Sequence, residues 1–195
     1  MSKWQYQVSG IPDAEFIRGG LPMTKEEVRA VAISKLRLKE DTVMYDIGAG
    51  TGSISIEAAL VAKKGQIYAI EKEEEGMELI AQNMKQFGVD NIELIYGEAP
   101  EALADLPPVD RVLIGGSGGN LDQILEVVTD RLTPQGRVVV NAVTMNTLTA
   151  AYQKLEELDY HLDICNLAVT RTREVGSYQM FNGLNPVYII SGEKR

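Results

Sequence analysis

Short apolar runs alternate with amphipathic helical runs along most of the chain, and this alternation constrains the fold more than any other feature. Strands are predicted at 43–47, 66–70, 92–96, 111–114 and 137–141, and helices at 53–62, 74–87, around 101, 121–132 and 148–158. Strands that are nearly continuous apolar runs are typical of a parallel sheet covered by helices on both faces. Because crossovers between parallel strands are right-handed, the pattern predicts an α/β fold with a doubly wound sheet.

Two more strand-like runs, 162–169 and 187–191, follow without a helix between them. Such strands are expected to pair antiparallel at one edge, which gives a mostly parallel seven-stranded sheet with an antiparallel edge hairpin. The charged segment 170–176 is expected to connect them. No repeat, low-complexity tract or linker divides the 195 residues, which is about one domain's length. We therefore expect a single domain over 1–195.

An irregular segment, residues 1–23, precedes the first predicted helix. Thr24 is expected to open that helix: its hydroxyl can cap the first turn, and Glu27, three residues later, completes a capping box. The irregular segment is expected to contribute to the ligand-binding side of the sheet.

The charge and the cysteine and histidine content argue against several classes of function. The chain carries 19 Lys and Arg against 28 Asp and Glu, a net charge of −9 that disfavours non-specific binding to nucleic acid. Cys165 is the single cysteine and His161 the single histidine, so neither an intrachain disulfide nor a metal site of several such residues is expected. No apolar run reaches the ~20 residues of a membrane span, and no signal-peptide pattern opens the chain. We expect a cytoplasmic, metal-free protein that does not bind membranes.

Residues 43–52, V-M-Y-D-I-G-A-G-T-G, run from a strand through a glycine-rich turn into a helix. Its three glycines let the backbone approach a ligand closely, and the start of the helix offers free N–H groups. The spacing G-x-G-x-G departs from the dinucleotide fingerprint G-x-G-x-x-G, and the lysine of a Walker loop is absent. The pattern therefore favours a ligand that joins adenosine to a small zwitterion, S-adenosylmethionine.

Acidic residues lie at the ends of the first three predicted strands. Glu71, nineteen residues after Gly52, can accept hydrogen bonds from both hydroxyls of a ribose. Glu98 and Ala99 follow the third strand where an adenine would lie; Glu98 can accept from the adenine amine, or it is an exposed strand-end acid. Asp46 is expected to hold the glycine turn or the amino group of the ligand. Doubly wound sheets bind ligands at the carboxyl ends of their strands, so these acidic residues together predict one site.

Four segments carry a resemblance to a known family. They are Gly10–Asp13 (G-I-P-D) with Phe16, Pro22–Arg29 (P-M-T-K-E-E-V-R), Asp46–Ser53 (D-I-G-A-G-T-G-S) with Ile56–Ala58 (I-E-A), and Ile114–Gly119 (I-G-G-S-G-G). The chain resembles the class I S-adenosylmethionine-dependent methyltransferases. Within them it resembles the cobalt-precorrin-6B C15-methyltransferase (decarboxylating) family of cobalamin biosynthesis, which is similar to the C-terminal half of the aerobic precorrin-6Y methylase. The resemblance spans nearly the whole chain.

The resemblance implies a Rossmann-like fold and methylation of a tetrapyrrole at C15, with loss of CO₂ from its ring C acetate. It implies contacts to S-adenosylmethionine from Thr24, Gly48, Ala49, Gly50, Thr51, Gly52, Glu71 and Ala99. No residue in the sequence is required to carry the decarboxylation, so no catalytic residue is assigned, and the helix cap stays an alternative role for Thr24. Family members commonly assemble, so a homo-oligomer is expected.

The glycine-rich loop after the fourth strand is the expected substrate side, since methyltransferases of this fold usually present their acceptor there. Its backbone allows a broad flat ring to lie against it, and its N–H groups can meet carboxylates. A polycarboxylate substrate also needs local cations, and arginine binds carboxylates in bidentate fashion; solvated loop charges are the alternative. The candidate substrate-binding residues are Gly115, Gly116, Ser117, Gly118, Arg18, Arg171 and Arg173.

Three other functions fit parts of the sequence. The same loop reads G-x-S-x-G, the nucleophile elbow of α/β-hydrolases, with Ser117 as nucleophile and His161, flanked by Asp159 and Asp163, as base. A class I methyltransferase for another small molecule or a protein would share the cofactor half. A module that only senses the cofactor would bind it without turnover.

Overall fold

The computed structural model describes Trp4, Tyr6 and residues 8–194. Its strands are β1 Val43–Ile47, β2 Gln66–Glu71, β3 Ile92–Tyr96, β4 Val109–Ile114, β5 Leu132–Ala142, β6 Tyr160–Leu167, β7 Thr170–Val175, β8 Tyr178–Gly183 and β9 Val187–Lys194. Its helices are α1 Glu26–Leu36, α2 Ser53–Val61, α3 Glu74–Phe87, α4 Leu121–Arg131 and α5 Met145–Glu157, with 3₁₀ turns at Asp13–Glu15 and Glu101–Leu103. Every predicted strand and helix is present. No helix in this part of the chain is both long and apolar enough to cross a membrane.

Seven of the described strands form one sheet, in the order β3-β2-β1-β4-β5-β9-β6. Strands β1 to β5 run parallel, and β9 is antiparallel to both β5 and β6. The predicted doubly wound, mostly parallel seven-stranded sheet and its antiparallel edge pairing are confirmed. The strand order reverses between β1 and β4, which is where sheets of this kind bind ligands.

Helices cover both faces of the sheet, each set over its own apolar core. The first core takes Leu36 from α1, Ile56 from α2 and Phe87 from α3. The second core takes Leu125 from α4 and Leu155 from α5. Both faces of the central strands are therefore buried, which explains their largely apolar sequence.

The segment 170–176 lies between the two edge strands, as expected, but it also forms part of a separate two-stranded sheet, the β7–β8 hairpin, which the sequence did not predict. Val175 pairs with Tyr178 across a two-residue loop, and Gly176 in that loop has φ +60°. Two-residue loops with a residue at positive φ are typical of hairpins. The sequence T-R-T-R-E-V carries charge where a buried strand would carry apolar residues, so apolar periodicity missed it.

The predicted capping box at Thr24 and Glu27 is wrong. Helix α1 begins at Glu26, and no side chain caps it from the N-cap position. The carboxylate of Asp13 takes that role, since its Oδ1 accepts a hydrogen bond from the Glu26 N–H at 2.9 Å. Glu27 instead binds Arg171 of β7. A residue distant in sequence thus replaced the local cap.

The irregular N-terminal segment is fixed to α1 and α2 by buried charges. The N–H groups of Gly10 and Ile11 donate to the Glu57 carboxylate at 2.9 and 3.0 Å. The fully buried Arg29 donates to Glu57 and to the Ile11 carbonyl, and its guanidinium lies 4.7 Å from the centre of the Phe16 ring. These contacts bring the chain that leads into α1 to the carboxyl edge of the sheet.

Candidate active site

A cavity of about 720 Å³ opens at the carboxyl ends of β1, β2, β4 and β5, where the strand order reverses. The glycine turn after β1 forms one wall, and the loop after β4 forms the wall opposite. The start of α1 and the base of the β7–β8 hairpin, at Val169 and Leu184, close the remaining side. A volume in this range suits a cofactor or substrate-sized ligand.

The glycine turn packs directly against the loop after β4. Gly48 has φ +72°, and a Cβ on it would lie 2.7 Å from the backbone N and O of Gly116. The Gly115 N–H in turn donates to the Ile47 carbonyl at 2.9 Å. Only glycine permits two backbones to approach this closely. The glycine turn after β1 and the loop after β4 are therefore held at one fixed spacing.

Glu71 joins the end of β2 to the glycine turn. Its side chain lines the cavity and is largely buried. Oε2 accepts from the Gly50 N–H at 2.7 Å, and Oε1 accepts from the N–H groups of Lys72 and Glu73 at 2.8 and 3.0 Å. Three backbone donors therefore fix the carboxylate, which can still accept at a further lone pair.

Asp46 is the most buried acid of the cavity wall. Ser55 on α2 donates its hydroxyl to Oδ2 at 2.5 Å. Burial raises the pKa of Asp46 to about 6, and the nearby Glu71 carboxylate adds to the shift. A cation beside Asp46 would lower that pKa again, so the group is suited to an ammonium ligand.

The end of β3 meets the loop after β4 across the cavity. The carboxylate of Glu98 forms an ion pair with Lys72 Nζ at 2.9 Å. A Cβ on Gly118 would lie 2.2 Å from Glu98 Oε1, so the acid rests against that glycine. Ala99 beside it is buried.

The structure brings most of the predicted site residues together around this cavity. Those that line it are Thr24, Gly48, Ala49, Gly50, Thr51, Glu71, Glu98, Ala99, Gly115, Gly116, Ser117 and Gly118. Gly52 lies behind the turn, where a Cβ would meet Ile80 at 2.9 Å. The three predicted arginines do not line the cavity.

Arg171 is engaged by acids of the first helix and the N-terminal segment. Nε and Nη2 donate to the two oxygens of Glu27 at 2.8 and 2.6 Å, and Nη1 lies 3.3 Å from Asp13 Oδ2. The hydrogen bond from Arg171 lowers the pKa of Glu27. This bidentate pair attaches the β7–β8 hairpin to α1.

Arg18 and Arg173 lie elsewhere on the surface. Arg18 is exposed and lines a smaller cleft, which shares Lys25 and the segment 21–23 with the main cavity. Arg173 is exposed in the middle of β7. Of the three, Arg18 alone lines the smaller cleft.

Comparison with known proteins decides the family. The sequence profile of the precorrin methyltransferase domain matches residues 12–194. The chain belongs to the precorrin methyltransferase family. It is 44% identical over 191 residues to a probable cobalt-precorrin-6B C(15)-methyltransferase (decarboxylating) of Pyrobaculum calidifontis, a match that covers 96% of this chain and 97% of the relative.

Solved structures of precorrin enzymes agree with this assignment. The crystal structure of precorrin-6y C5,15-methyltransferase from Geobacter metallireducens has a TM-score of 0.92 and 46% identity, and the match covers 97% of this chain and 100% of that one. The precorrin 8w decarboxylase of Methanobacterium thermoautotrophicum has a TM-score of 0.89 and 34% identity, over 93% and 98% of the two chains. The family, the methyltransferase class and the Rossmann-like class I fold expected from the motifs are confirmed.

The motif residues of this precorrin methyltransferase take two structural roles. The segments 46–53 and 114–119 and the start of the segment 22–29 form walls of the cavity. Asp13, Arg29 and Glu57, elsewhere in the motifs, form the buried ionic cluster. A motif residue of this chain therefore need not line the cavity.

Sequence reasoning missed several residues of the methyltransferase cavity. Asn141 ends the apolar run V-V-V-N of β5, and its buried amide has no hydrogen-bond partner at either Oδ1 or Nδ2. A polar residue at the end of an otherwise apolar strand is a sequence signal that could have identified Asn141. Val169 and Leu184 reach the cavity only because of the unpredicted hairpin, so no sequence pattern indicated them.

The arrangement expected for a hydrolase is wrong, because the strand order and register keep Ser117 and His161 far apart. Ser117 follows β4, whereas His161 lies on the edge strand β6, paired through Glu193 of β9 with Arg137 of β5. Three strand spacings separate β4 from β6, so histidine and serine lie at least about 15 Å apart. A nucleophile and its base must be within hydrogen-bond reach.

Proposed function

We propose that this precorrin methyltransferase transfers a methyl group from S-adenosylmethionine to C15 of a precorrin tetrapyrrole and releases CO₂ from its ring C acetate, as a step of cobalamin biosynthesis. The name of the P. calidifontis relative describes that reaction for cobalt-precorrin-6B. The observation that carries the proposal is a single cavity lined by the glycine turn, by Asp46 and Glu71, and by the glycine loop after β4. We propose residues 1–195 as a single methyltransferase domain.

The residues at the glycine-turn end of the cavity fit S-adenosylmethionine. The space beside Gly48, which any larger residue would fill, lets the backbone of the glycine turn approach the cofactor closely. Asp46, with its raised pKa, is suited to the amino group of the methionine part, and Glu71 has a lone pair free for the ribose. The proposed cofactor-binding residues are Thr24, Gly48, Ala49, Gly50, Thr51, Glu71, Glu98 and Ala99, with Gly52 shaping the turn.

Catalysis in this cavity is a matter of positioning. When bound, S-adenosylmethionine supplies a methyl group that its sulfonium already makes electrophilic. The protein has to hold the acceptor carbon at a near-attack distance of about 3–3.5 Å and to exclude water. The contact of Gly48 with Gly116 fixes the two walls for this purpose. The loop Gly115–Gly118, with Ser117, is the proposed face for the flat macrocycle.

Local cations must offset the net charge of −9 for a polycarboxylate substrate. Arg18 and Lys25 line the cleft that adjoins the cavity and are the proposed carboxylate anchors. Arg173, on β7 of the hairpin, remains a proposed contact to a substrate carboxylate. For Arg171 we propose a positioning role, since Glu27 and Asp13 already take its donors.

We also propose that the chain forms a homo-oligomer through the β7–β8 hairpin. Val175, Tyr178, Met180 and Phe181 expose apolar side chains on it, with Phe181 84% exposed. Exposed apolar patches of this kind mark protein interfaces. The hairpin also has no partner in the main sheet among the described strands.

An acceptor screen tests the proposed reaction. The purified protein with S-adenosylmethionine is offered cobalt-precorrin-6B, a set of simple amines and carboxylates, and an unrelated protein, and mass spectrometry follows methyl gain and CO₂ loss. Methylation with decarboxylation of the tetrapyrrole alone is expected. Methylation of an amine or protein with the tetrapyrrole untouched would overturn the substrate. Cofactor binding without turnover of any acceptor would indicate a sensing module.

A further inference from the structure

The buried amide of Asn141 is the one cavity group in the described chain whose side-chain nitrogen and oxygen are both unpartnered. It lies at the carboxyl end of β5, is 8% exposed and lines the cavity. Burying an amide without hydrogen bonds costs free energy, and native proteins rarely accept that cost without a function. A ligand in the cavity would supply the missing partner.

Asn141 lies in the apolar half of the cavity. Side chains alternate along a strand, so Asn141 shares a face with Val139, which belongs to the first core, as does its cross-strand partner Ile189. Four other buried cavity residues belong to that core, Met23, Val28, Ile54 and Leu113, and two partly buried ones, Ala49 and Val187, pack against it. Asp46 lies on the same face, but two strands away and two residues lower in register, which is about 12 Å. The Asn141 amide is therefore an isolated polar group among these apolar side chains, which form what we call the apolar chamber of the cavity. It lies apart from the part of the cavity proposed to bind the cofactor.

We propose that the Asn141 side-chain N–H holds the acetate carboxylate that leaves as CO₂, and that the apolar chamber promotes its departure. This deepens the proposed function and rests on it. In the step, the bond between the acetate methylene and the carboxylate carbon breaks. Its electron pair passes into the conjugated macrocycle, and CO₂ leaves. The methylene carbon takes up one proton, which balances the proton that C15 loses on methylation.

A neutral amide suits this step better than a cation. The carboxylate carries its charge in the ground state, and that charge spreads into the macrocycle as the bond breaks. An arginine or lysine would stabilise the ground state more than the transition state and slow the reaction. Apolar surroundings destabilise the carboxylate, and one neutral donor orients it. The cations among the described cavity residues fit this picture, since Lys72 pairs with Glu98 and Lys25 lies at the adjoining cleft.

Asn141→Asp, Asn141→Leu and the control Asn146→Asp test the assignment. Asn146 is exposed on the first turn of α5, so it receives the same change away from the cavity. Turnover of cobalt-precorrin-6B is measured with the cofactor saturating, and S-adenosylhomocysteine binding is measured by calorimetry. For Asn141→Leu we expect cofactor affinity within about twofold of wild type and kcat/KM lower by about 10- to 100-fold, the loss of one hydrogen bond to a charged group.

The aspartate variant adds a readout that a structural role would not give. At neutral pH its carboxylate repels the acetate, and at low pH its protonated form donates a hydrogen bond again. The ratio of Asn141→Asp to wild-type activity should therefore rise at least about tenfold from pH 8 to pH 5.5. Taking the ratio at each pH controls for the other charged cavity residues, Lys25, Asp46, Glu71, Lys72 and Glu98, because both proteins carry them.

Three outcomes would overturn the assignment. If both Asn141 variants formed product at wild-type levels and with the wild-type ratio of products, the amide would have no role in the reaction. A tenfold loss of S-adenosylhomocysteine affinity in Asn141→Leu would assign the amide to the cofactor. A flat activity ratio with pH would mean that Asn141 has a structural role. Failure of the wild-type protein to convert the tetrapyrrole would instead overturn the proposed function, which keeps the two failures apart.

Discussion

Arg29 Nε lies 2.6 Å from Glu57 Oε1, in an ion pair whose two side chains are both buried. Arg29 also lies 3.4 Å from Asp13, and Asp13 contacts Arg171 of the β7–β8 hairpin. This ionic cluster therefore connects the N-terminal segment, two helices and the hairpin. All of them border the cavity, so the cluster sets the shape of the site without touching it.

Removing one partner of the buried pair should destabilise the protein strongly. Arg29→Met leaves Glu57 buried without its counter-ion, and we expect a loss of about 3–5 kcal/mol in the free energy of unfolding; Glu57→Gln leaves Arg29 with Asp13 as its remaining acid and should cost less. Urea denaturation measures it. Lys64→Met, at the exposed Lys64–Glu40 pair, is the matched control and should cost less than about 1 kcal/mol. Equal effects at the two pairs would contradict the role of the cluster.

Glu71→Ala should weaken cofactor binding. The change removes the carboxylate that accepts from the Gly50 N–H and faces the cavity. We expect a loss of about 1–3 kcal/mol in S-adenosylhomocysteine binding by calorimetry, the range for hydrogen bonds to a charged group. Glu78→Ala, at an exposed position of α3, controls for charge and should leave the affinity unchanged. Unchanged affinity in Glu71→Ala would exclude the ribose role.

Gly48→Ala should disrupt the packing of the two glycine segments. The new Cβ would lie 2.7 Å from the backbone of Gly116, at a positive φ that alanine adopts poorly. We expect cofactor binding to be lost and thermal stability to fall. Gly183→Ala is the control, because a Cβ there has open space. Cofactor binding at wild-type strength in Gly48→Ala would show that the turn can move.

Asp46 should make the ligand-free protein less stable as pH rises. Burial raises its folded-state pKa from 3.8 to about 6, so the folded protein binds the proton more tightly than the unfolded chain. The resulting stability is fully present below about pH 4 and is lost as pH rises through 6, a change of about 3 kcal/mol.

Urea unfolding of wild type and Asp46→Asn between pH 4 and 8 measures this effect. The stability difference between them should move in favour of the variant as pH rises. Asp90→Asn, at an exposed loop position, should track wild type throughout. A pH-independent difference for Asp46→Asn would mean that the carboxyl titrates normally.

Replacing exposed apolar residues of the β7–β8 hairpin should shift the oligomeric state. Tyr178→Ser combined with Phe181→Ser removes the two most exposed aromatic rings of the hairpin. We expect analytical ultracentrifugation to show an oligomer for wild type and monomer for the double variant. Tyr152→Ser on α5 removes a partly exposed tyrosine elsewhere and should keep the oligomer. A monomeric wild type would refute the proposed assembly.

The sheet and the cofactor-type end of the cavity were predictable because their signals are local. A strand such as Val43–Ile47 is apolar at every position except Asp46, and the glycines that follow it are required by the turn itself. Parallel strands place their carboxyl ends at one edge, so Glu71 and Glu98 could be assigned to the same site as the turn.

Contacts between residues distant in sequence decided the rest. Whether Glu27 caps a helix or binds Arg171 depends on a contact across 144 positions of the chain, which local pattern does not encode. The unpartnered amide of Asn141 exists only because packing closes water away from it. The sequence by itself determined the elements of the main sheet and its helices, the glycine turn and the family. Only the tertiary structure decided which polar groups are paired and which still face the cavity, because pairing depends on how separate segments pack in three dimensions.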